Sequence, residues 1–454
     1  MSLSTDITNR TLRSPHGEQA YHLVETLLDA GHEAWWVGGC VRDMLMDEVP
    51  EDIDIATSAK PEEVTALFSK TDETSAQFGA ILVSMEGHVF EVTTFREDDS
   101  ASDGRHPESV KFSKRKEKDA ERRDFTINAI YWNPISRELF DPYEGEKDLH
   151  ERLIRFIGNP EERLEHDALR LFRAVRFRAF INGQYHPDTF KALHKRSGDI
   201  NILSGTRRLR ELEKMLLGPH PARAFEDLWE TDIIEHLLPE LYVCKGVAQP
   251  SAPHGEGDVW DHTMKIIASF TEDHEADVRW AALLHDIGKP VTFSIEDDRI
   301  HFNEHAPVGG DLSKAVLDRL QCPANRRDKI VWLVKHHMTM GTFGDLDDER
   351  KGHWYYHPWF TELLQIFWLD IAGTEPSDFG LYESIIADYN QFLDSHPLPP
   401  KPLLSGNEIM EILGLHPGEK VGEILKKLYK AQLEKKITTK KEALEYLKSH
   451  VDES

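Results

Sequence analysis

Ala34-Trp35-Trp36-Val37-Gly38-Gly39-Cys40-Val41-Arg42-Asp43, with Asp52-Ile53-Asp54 starting nine residues after Asp43, decides the fold of the N-terminal part of this chain. The four residues Ala34–Val37 read as a buried strand. The glycines after it let backbone N–H groups approach a phosphate where a Cβ would block them, and Arg42 can add a fixed positive charge. A strand alternates its side chains, so Asp52 and Asp54 are expected to project from one strand face with Ile53 turned to the core. Two carboxylates held that close form a site for Mg²⁺. A Gly-Gly turn or an Asp-x-Asp alone is usually only a loop; in this order and spacing they indicate metal-dependent nucleotidyl transfer.

Working outward, the 454 residues suggest roughly three domains with separate cores. No stretch approaches ~18 consecutive apolar residues, and Met1–Gln19 lacks the charged-then-apolar order of a secretory signal, so a cytoplasmic protein with no membrane partner is expected. Cys40, Cys244 and Cys322 are too few and too scattered for a disulfide framework or a Cys-rich zinc site. A net charge of −27 argues against a nucleic-acid partner for the surface as a whole. Basic residues nevertheless concentrate at 111–123, 163–178, 191–214 and 426–448, so local positive surfaces are compatible with RNA.

Strand-like runs at Ala80–Ser84 and His88–Thr93, with helical stretches near 17–31 and 61–69, predict an α/β head with a mixed sheet plus helices over 15–140. From about 145 onward apolar residues recur at helical spacing, as at Leu169, Phe172, Val175 and Ala179. The expected order is then a mostly α-helical neck over 141–245, a helical metal-binding domain over 250–395 and a helical C-terminal tail over 400–454. Breaks fall at Gly218–Pro221, Ser251–Gly255 and the Pro-rich His396–Pro402.

The opening motif resembles motif A of the class II tRNA nucleotidyltransferase and bacterial poly(A) polymerase family. Asp103-Gly104-Arg105-His106-Pro107 resembles that family's flexible loop, and Arg122-Arg123-Asp124-Phe125-Thr126 its motif B. The resemblance implies nucleotide binding by Arg123, a fork of donors for phosphate, and by Asp124, an acceptor for sugar hydroxyls. Arg163-Leu164-Glu165-His166-Asp167-Ala168-Leu169-Arg170 resembles motif D. It implies that Asp167 and Arg170, three apart on one predicted helix, read the edge of the incoming base. Arg173 and Arg176 join them as nucleotide-binding candidates. His166, where the family usually has Glu, departs from the pattern, as do Thr206 and Arg208 in the motif E segment. Glu91, on a strand near Asp52 and Asp54, is a candidate third carboxylate.

Leu283-Leu284-His285-Asp286-Ile287-Gly288-Lys289, with His262 upstream and Asp370 downstream, resembles the core of the HD phosphohydrolase superfamily. His262, His285, Asp286 and Asp370 then make a nitrogen and oxygen shell for a divalent metal, Mg, Mn, Ni or Co. Lys289, His305 and His336 are accessory candidates for a second metal or a substrate phosphate.

Taken together, the resemblance implies CCA addition at the tRNA 3′ end from CTP and ATP. The chemistry is in-line attack of an RNA hydroxyl on the α-phosphate, with Mg²⁺ held by Asp52 and Asp54, and the Asp103–Val110 loop favours the capacity to add A. It also implies a metal-dependent phosphohydrolase or 2′,3′-cyclic phosphodiesterase activity. Poly(A) or A-only addition shares every motif quoted, and a phosphohydrolase with a nucleotide-sensing head is the reading from a different class.

Overall fold

The computed structural model describes residues 3–97, 111–249, 257–396, 400–416 and 418–450. The Asp103–Val110 loop and the Ser251–Gly255 break lie outside the described residues, as does part of the His396–Pro402 segment. The chain divides into two units, Met1–Pro239 and Glu240–Ser454.

The first unit is organised by β1 (Ala34–Val37), β2 (Ile55–Thr57), β3 (Thr71–Asp72), β4 (Ala80–Met85) and β5 (His88–Thr94). A short ribbon of β6 (Arg96–Glu97) and β7 (Lys111–Phe112) follows, then β8 (Tyr131–Trp132) and β9 (Leu139–Phe140). Seven of these form one mixed sheet in the order β3-β4-β5-β2-β1-β8-β9. β2 runs parallel to β5, pairing Ile55 with Val92, and antiparallel to β1, pairing Trp36 with Ile55.

Both faces of β1 are buried because both faces of the sheet are covered. Trp36, Ile55, Val92 and Ile53 pack with Leu23, Val24 and Leu27 of the helix Pro15–Asp29. That helix starts where its sequence says it should: Ser14 caps it through the Gly17 N–H at 3.0 Å, and Pro15 takes the first turn, where its missing N–H costs nothing. On the opposite face Trp35, Val37 and Ala56 pack with Phe95, Ala129 and Tyr131.

Beyond the head, β10 (Leu153–Ile154) pairs in parallel with β11 (Gln184–Tyr185), and the rest of the unit is helical. The helix Leu169–Phe180 buries Phe172, Val175 and Phe177. It is tied to the helix Pro221–Glu230 by buried Arg178, which donates to Asp227 at 2.6 Å, while the Tyr185 hydroxyl donates to the other Asp227 oxygen at 3.2 Å.

In the second unit the helices Val259–Ala268, Ala276–Leu284, His305–Arg319, Ala324–His336 and Phe360–Gly373 enclose a histidine-rich centre. One hairpin, β12 (Ser294–Glu296) with β13 (Arg299–His301), interrupts them. The helices Gly406–Leu413, Glu419–Leu433 and Lys440–His450 have a core of their own around Leu404, Ile409, Leu428 and Leu447. Among the described residues no helix is long and apolar enough to cross a membrane.

Candidate functional site

In the first unit the Gly38–Gly39 turn leaves β1 with Gly38 at φ 75° and ψ −123°, a conformation only glycine adopts without strain. Asp52 and Asp54 do not sit on a strand as expected: they precede β2, which starts at Ile55. The pairing of β1 ends at Trp36–Ile55, and beyond it the Val37 N–H donates to the Asp54 carbonyl at 3.0 Å. Asp54 is therefore fixed by backbone while its side chain faces outward, with Ile53 buried on the other side.

Glu91 lies one residue before Val92, the partner of Ile55, and so stands beside Asp54 on the same face. The accessible Asp54 side chain feels both neighbours: partial desolvation, Glu91 and then Asp52 push its carboxyl up to about 6, against the pull of Arg123. Asp54, its proton affinity raised beside two further acids, is part of an arrangement that a divalent cation relieves.

Behind this cluster the arginines are held by the protein. The Arg123 guanidinium lies 3.4 Å from where a Gly38 Cβ would stand and donates to the Tyr131 hydroxyl at 2.9 Å and to Asp119 at 3.2 Å. Arg42 is buried, donates to Asn128 at 3.0 Å and Asp43 at 2.9 Å, and rests over the Phe177 and Phe180 rings. Asp124 is buried too: its oxygens accept from the Phe125 N–H at 2.8 Å, Asn128 at 3.1 Å and Arg173 at 2.5 Å. These contacts anchor Asp124 inside the unit. Arg176 lies 3.3 Å from buried Glu211.

The Asp167–Arg170 pair departs from its expected geometry. The helix Pro160–His166 stops, Asp167 is extended at φ −151°, and the next helix starts at Leu169. Asp167 accepts from the Leu169 N–H at 2.9 Å, as a cap does, and this favours the break over a continuous helix. Arg170 donates to the backbone carbonyls of Arg163 at 2.9 Å and Arg122 at 3.2 Å.

Asp119 was missed by sequence reasoning because it sits in the charged run Lys114–Asp124. It is wholly buried and accepts from Arg122, Arg123 and Tyr131. Burial opposes its charge, but Arg123 and Arg122 hold it down to about 2. Its spacing of three and four from those arginines was the available signal.

Among the described residues, the second unit holds two clusters of potential metal ligands, His262, His285 and Asp370 in one and Asp286, His305 and His337 in the other. His262 Nε2 lies 3.0 Å from Asp370, His285 Nε2 3.0 Å from Asp286, and His305 Nε2 3.5 Å from the other Asp286 oxygen. Asp286 thus faces both clusters. His337, not His336, completes the second: the helix Ala324–His336 ends between them, and the His336 ring stacks on Trp332 at 4.5 Å.

The histidine hydrogen bonds set which nitrogen is offered. The Nδ1 atoms of His285, His305 and His337 lie 2.7–2.8 Å from the carbonyls of Ala282, Phe302 and Val334. Carbonyls only accept, so each Nδ1 carries a proton, and His305 and His337 keep the Nε2 lone pair toward the cluster; burial opposes the charge of His285, but Asp286 beside it raises that imidazole. Burial keeps His305 and His337 neutral, with His337 lowered to about 4. Burial opposes the Asp286 charge, yet His285 and Lys289 hold it well below the carboxylate range. Buried His285 Nε2 and Asp286 Oδ2 have no well-formed hydrogen bond. Atoms so disposed fit a divalent metal. Lys289 Nζ lies 2.6 Å from Asp286 and donates to Gln249 at 2.7 Å, so it positions Asp286. Gly288 is required here: a Cβ on it would lie 2.1 Å from the His305 carbonyl.

Three family models match along the chain. Residues 34–155 match the poly A polymerase head domain, 184–244 the probable RNA- and SrmB-binding site of polymerase A, and 259–367 the HD domain. Nucleotidyltransferase and HD domains are metal-dependent. A CCA-adding enzyme of Geobacillus stearothermophilus is 40% identical over 223 residues, 49% of this chain and 55% of that one. The chain thus spans about half the length of the first such relatives. One from Bacillus cytotoxicus is 30% identical over 437 residues, 94% of this chain and 96% of that one.

Among solved structures, the Bacillus stearothermophilus CCA-adding enzyme in complex with CTP superposes with a TM-score of 0.66 at 26% identity, covering 97% of this chain and 100% of that one. The Thermotoga maritima CCA-adding enzyme complexed with tRNA shares the fold, at a TM-score of 0.57 and 20% identity over 99% and 98% of the two chains. With a near full-length relative, a shared architecture and a carboxylate cluster beside a glycine turn, the chain belongs to the CCA-adding enzyme family.

Proposed function

We propose that this chain builds or repairs the 3′-terminal CCA of tRNA from CTP and ATP, a cytoplasmic activity, and carries a second hydrolytic site. The observation that supports the first activity best is the convergence of Asp52, Asp54 and Glu91 next to the Gly38–Gly39 turn. Mg²⁺ held by Asp52 and Asp54 would supply Lewis-acid stabilisation of the triphosphate. The protein's own part is positional. The glycine turn brings backbone close to phosphate, Arg123 sets positive potential behind it, and Asp119 and Tyr131 keep that guanidinium from swinging away. Arg173 ties the helix Leu169–Phe180 to Asp124 and so holds Asp167 and Arg170 in register with the head.

Incubation of tRNA lacking CCA with CTP, ATP or both tests this. Addition of CCA with both nucleotides is expected; long tails from ATP alone would favour poly(A) synthesis.

At the second site, His262, His285 and Asp370, with Asp286, His305 and His337, are proposed to hold divalent metal, Mg, Mn, Ni or Co. Bound metal there would activate water for phosphate-ester hydrolysis. Release of phosphate or opening of 2′,3′-cyclic nucleotides, with metal added back after chelation, is the expected result. No hydrolysis with any of these metals would refute this second activity.

A further inference from the structure

Asn128 closes the short 3-10 turn Thr126–Asn128, is 5% exposed, and uses all four of its polar atoms inside the protein. Its side-chain oxygen accepts from Arg42 at 3.0 Å, and its side-chain amide donates to Asp124 at 3.1 Å. Its backbone carbonyl accepts from Arg123 at 3.3 Å, and its N–H donates to the Phe125 carbonyl at 3.0 Å. Three nucleotide-binding candidates therefore meet on one asparagine to which the sequence assigned no role.

The contacts run on in both directions. Arg42 belongs to the helix Gly39–Leu45 that leaves the glycine turn; it also donates to Asp43 at 2.9 Å and rests over the Phe177 and Phe180 rings. Asp124 accepts from Arg173 at 2.5 Å, three residues beyond Arg170. A single side chain thus spans the step from the Gly38–Gly39 turn to the helix Leu169–Phe180, which opens just after Asp167.

The residue type matters for a chemical reason. Arg42 offers only donors, and burial opposes the Asp124 charge while Arg173 and Asn128 hold its carboxyl below the usual carboxylate range, so it offers only acceptors. The group between them must accept at one end and donate at the other. A carboxamide does so on one rigid plane; a carboxylate would face Asp124 with a like charge, and a methyl group would leave both partners short of a hydrogen bond.

Taking the first unit as the CTP- and ATP-using transferase, we propose that Asn128 is a positioning residue. Its carboxamide holds the phosphate-side turn, through Arg42, in register with the base-side residues Asp167 and Arg170, through Asp124 and Arg173, and so sets how strictly the incoming base is read. A carboxylate and a guanidinium on the base side favour the exocyclic amine of cytosine over the carbonyl of uracil only while their distance from the bound triphosphate is fixed.

Single-nucleotide incorporation into tRNA lacking CCA tests this on the full chain with Mg²⁺, by comparing kcat/KM for CTP and for UTP. Asn128→Ala removes both links; Asn128→Asp keeps an acceptor for Arg42 but sets two carboxylates against each other. Each is expected to cut the CTP-over-UTP ratio about tenfold, and either suffices where the other fails to fold. Tyr185→Phe deletes a buried hydrogen bond to Asp227 outside this network and is expected to leave the ratio at its wild-type value. Where the wild-type chain uses ATP alone, the ATP-over-GTP ratio is read in the same way. An undiminished ratio in the Asn128 variants, whether or not both rates fall, or an equal drop in Tyr185→Phe, would overturn the proposal and leave the transferase reading standing. Failure of the wild-type chain to incorporate any nucleotide would overturn both.

Discussion

Arg173 reaches across from the helix Leu169–Phe180 to Asp124, its guanidinium nitrogens 2.5 Å from one carboxylate oxygen. The pair joins the helix Leu169–Phe180 to the head and is nearly closed to solvent on the Asp124 side, where 8% of the side chain is exposed. Removing the arginine strands a buried carboxylate. Arg173→Ala is therefore expected to destabilise the protein by about 3 kcal/mol, measured by urea unfolding. Arg173→Met combined with Asp124→Asn should recover a large part of that loss.

Asp54→Asn removes a charge from the three-acid cluster without changing its shape. Nucleotide incorporation is expected to fall by at least about 10³-fold, while hydrolysis in the second unit and the melting temperature are retained. Equal loss of both activities would contradict two separate sites.

The acid limb of nucleotide incorporation should report Asp54. Desolvation and Glu91 raise this carboxyl to about 6. At limiting Mg²⁺ the rate is expected to fall as pH drops through about 6, because the protonated form no longer attracts a cation. It should level off above that value. Glu91→Gln removes the neighbouring negative charge, so the midpoint should move to lower pH, read from pH–rate profiles.

His337→Ala and His336→Ala are neighbours with opposite expectations. The first deletes a ligand of the Asp286 cluster and should lower metal content and phosphate release; the second removes a ring stacked on Trp332 and should leave both at wild-type level. Elemental analysis after dialysis checks this.

Gly288→Ala places a methyl group 2.1 Å from the His305 carbonyl, a backbone atom that cannot step aside alone. The helix His305–Arg319 must shift, costing about 1–3 kcal/mol by thermal or urea unfolding and disturbing the His305 ligand geometry.

Much of the head was legible because its signals are local. The apolar run Ala34–Val37 became β1, and the helical stretch near 17–31 became the helix Pro15–Asp29. Ile53 turned inward as alternation requires, although β2 begins only at Ile55. The strand boundary was not legible, since it depends on where β1 bends away into Gly38. The break at Asp167 was hidden for a related reason. Asp167 and Arg170 have helical spacing, but a side-chain cap on the Leu169 N–H competes with helix continuation, and spacing does not reveal which wins.

Residue type and order along the chain determined the chemistry: a glycine turn with paired acids, a His-Asp core, and a change from strand to helical periodicity near residue 145. Tertiary structure alone decided partners across long separations. It chose His337 over His336 by where a helix ends, joined Arg173 to Asp124 across 49 residues, and buried Asp119 between Arg122, Arg123 and Tyr131. The reason is physical: alternation and helix period are carried by the local backbone. Which oxygen a guanidinium meets, or which of two adjacent imidazoles faces a metal, follows from how separate elements pack.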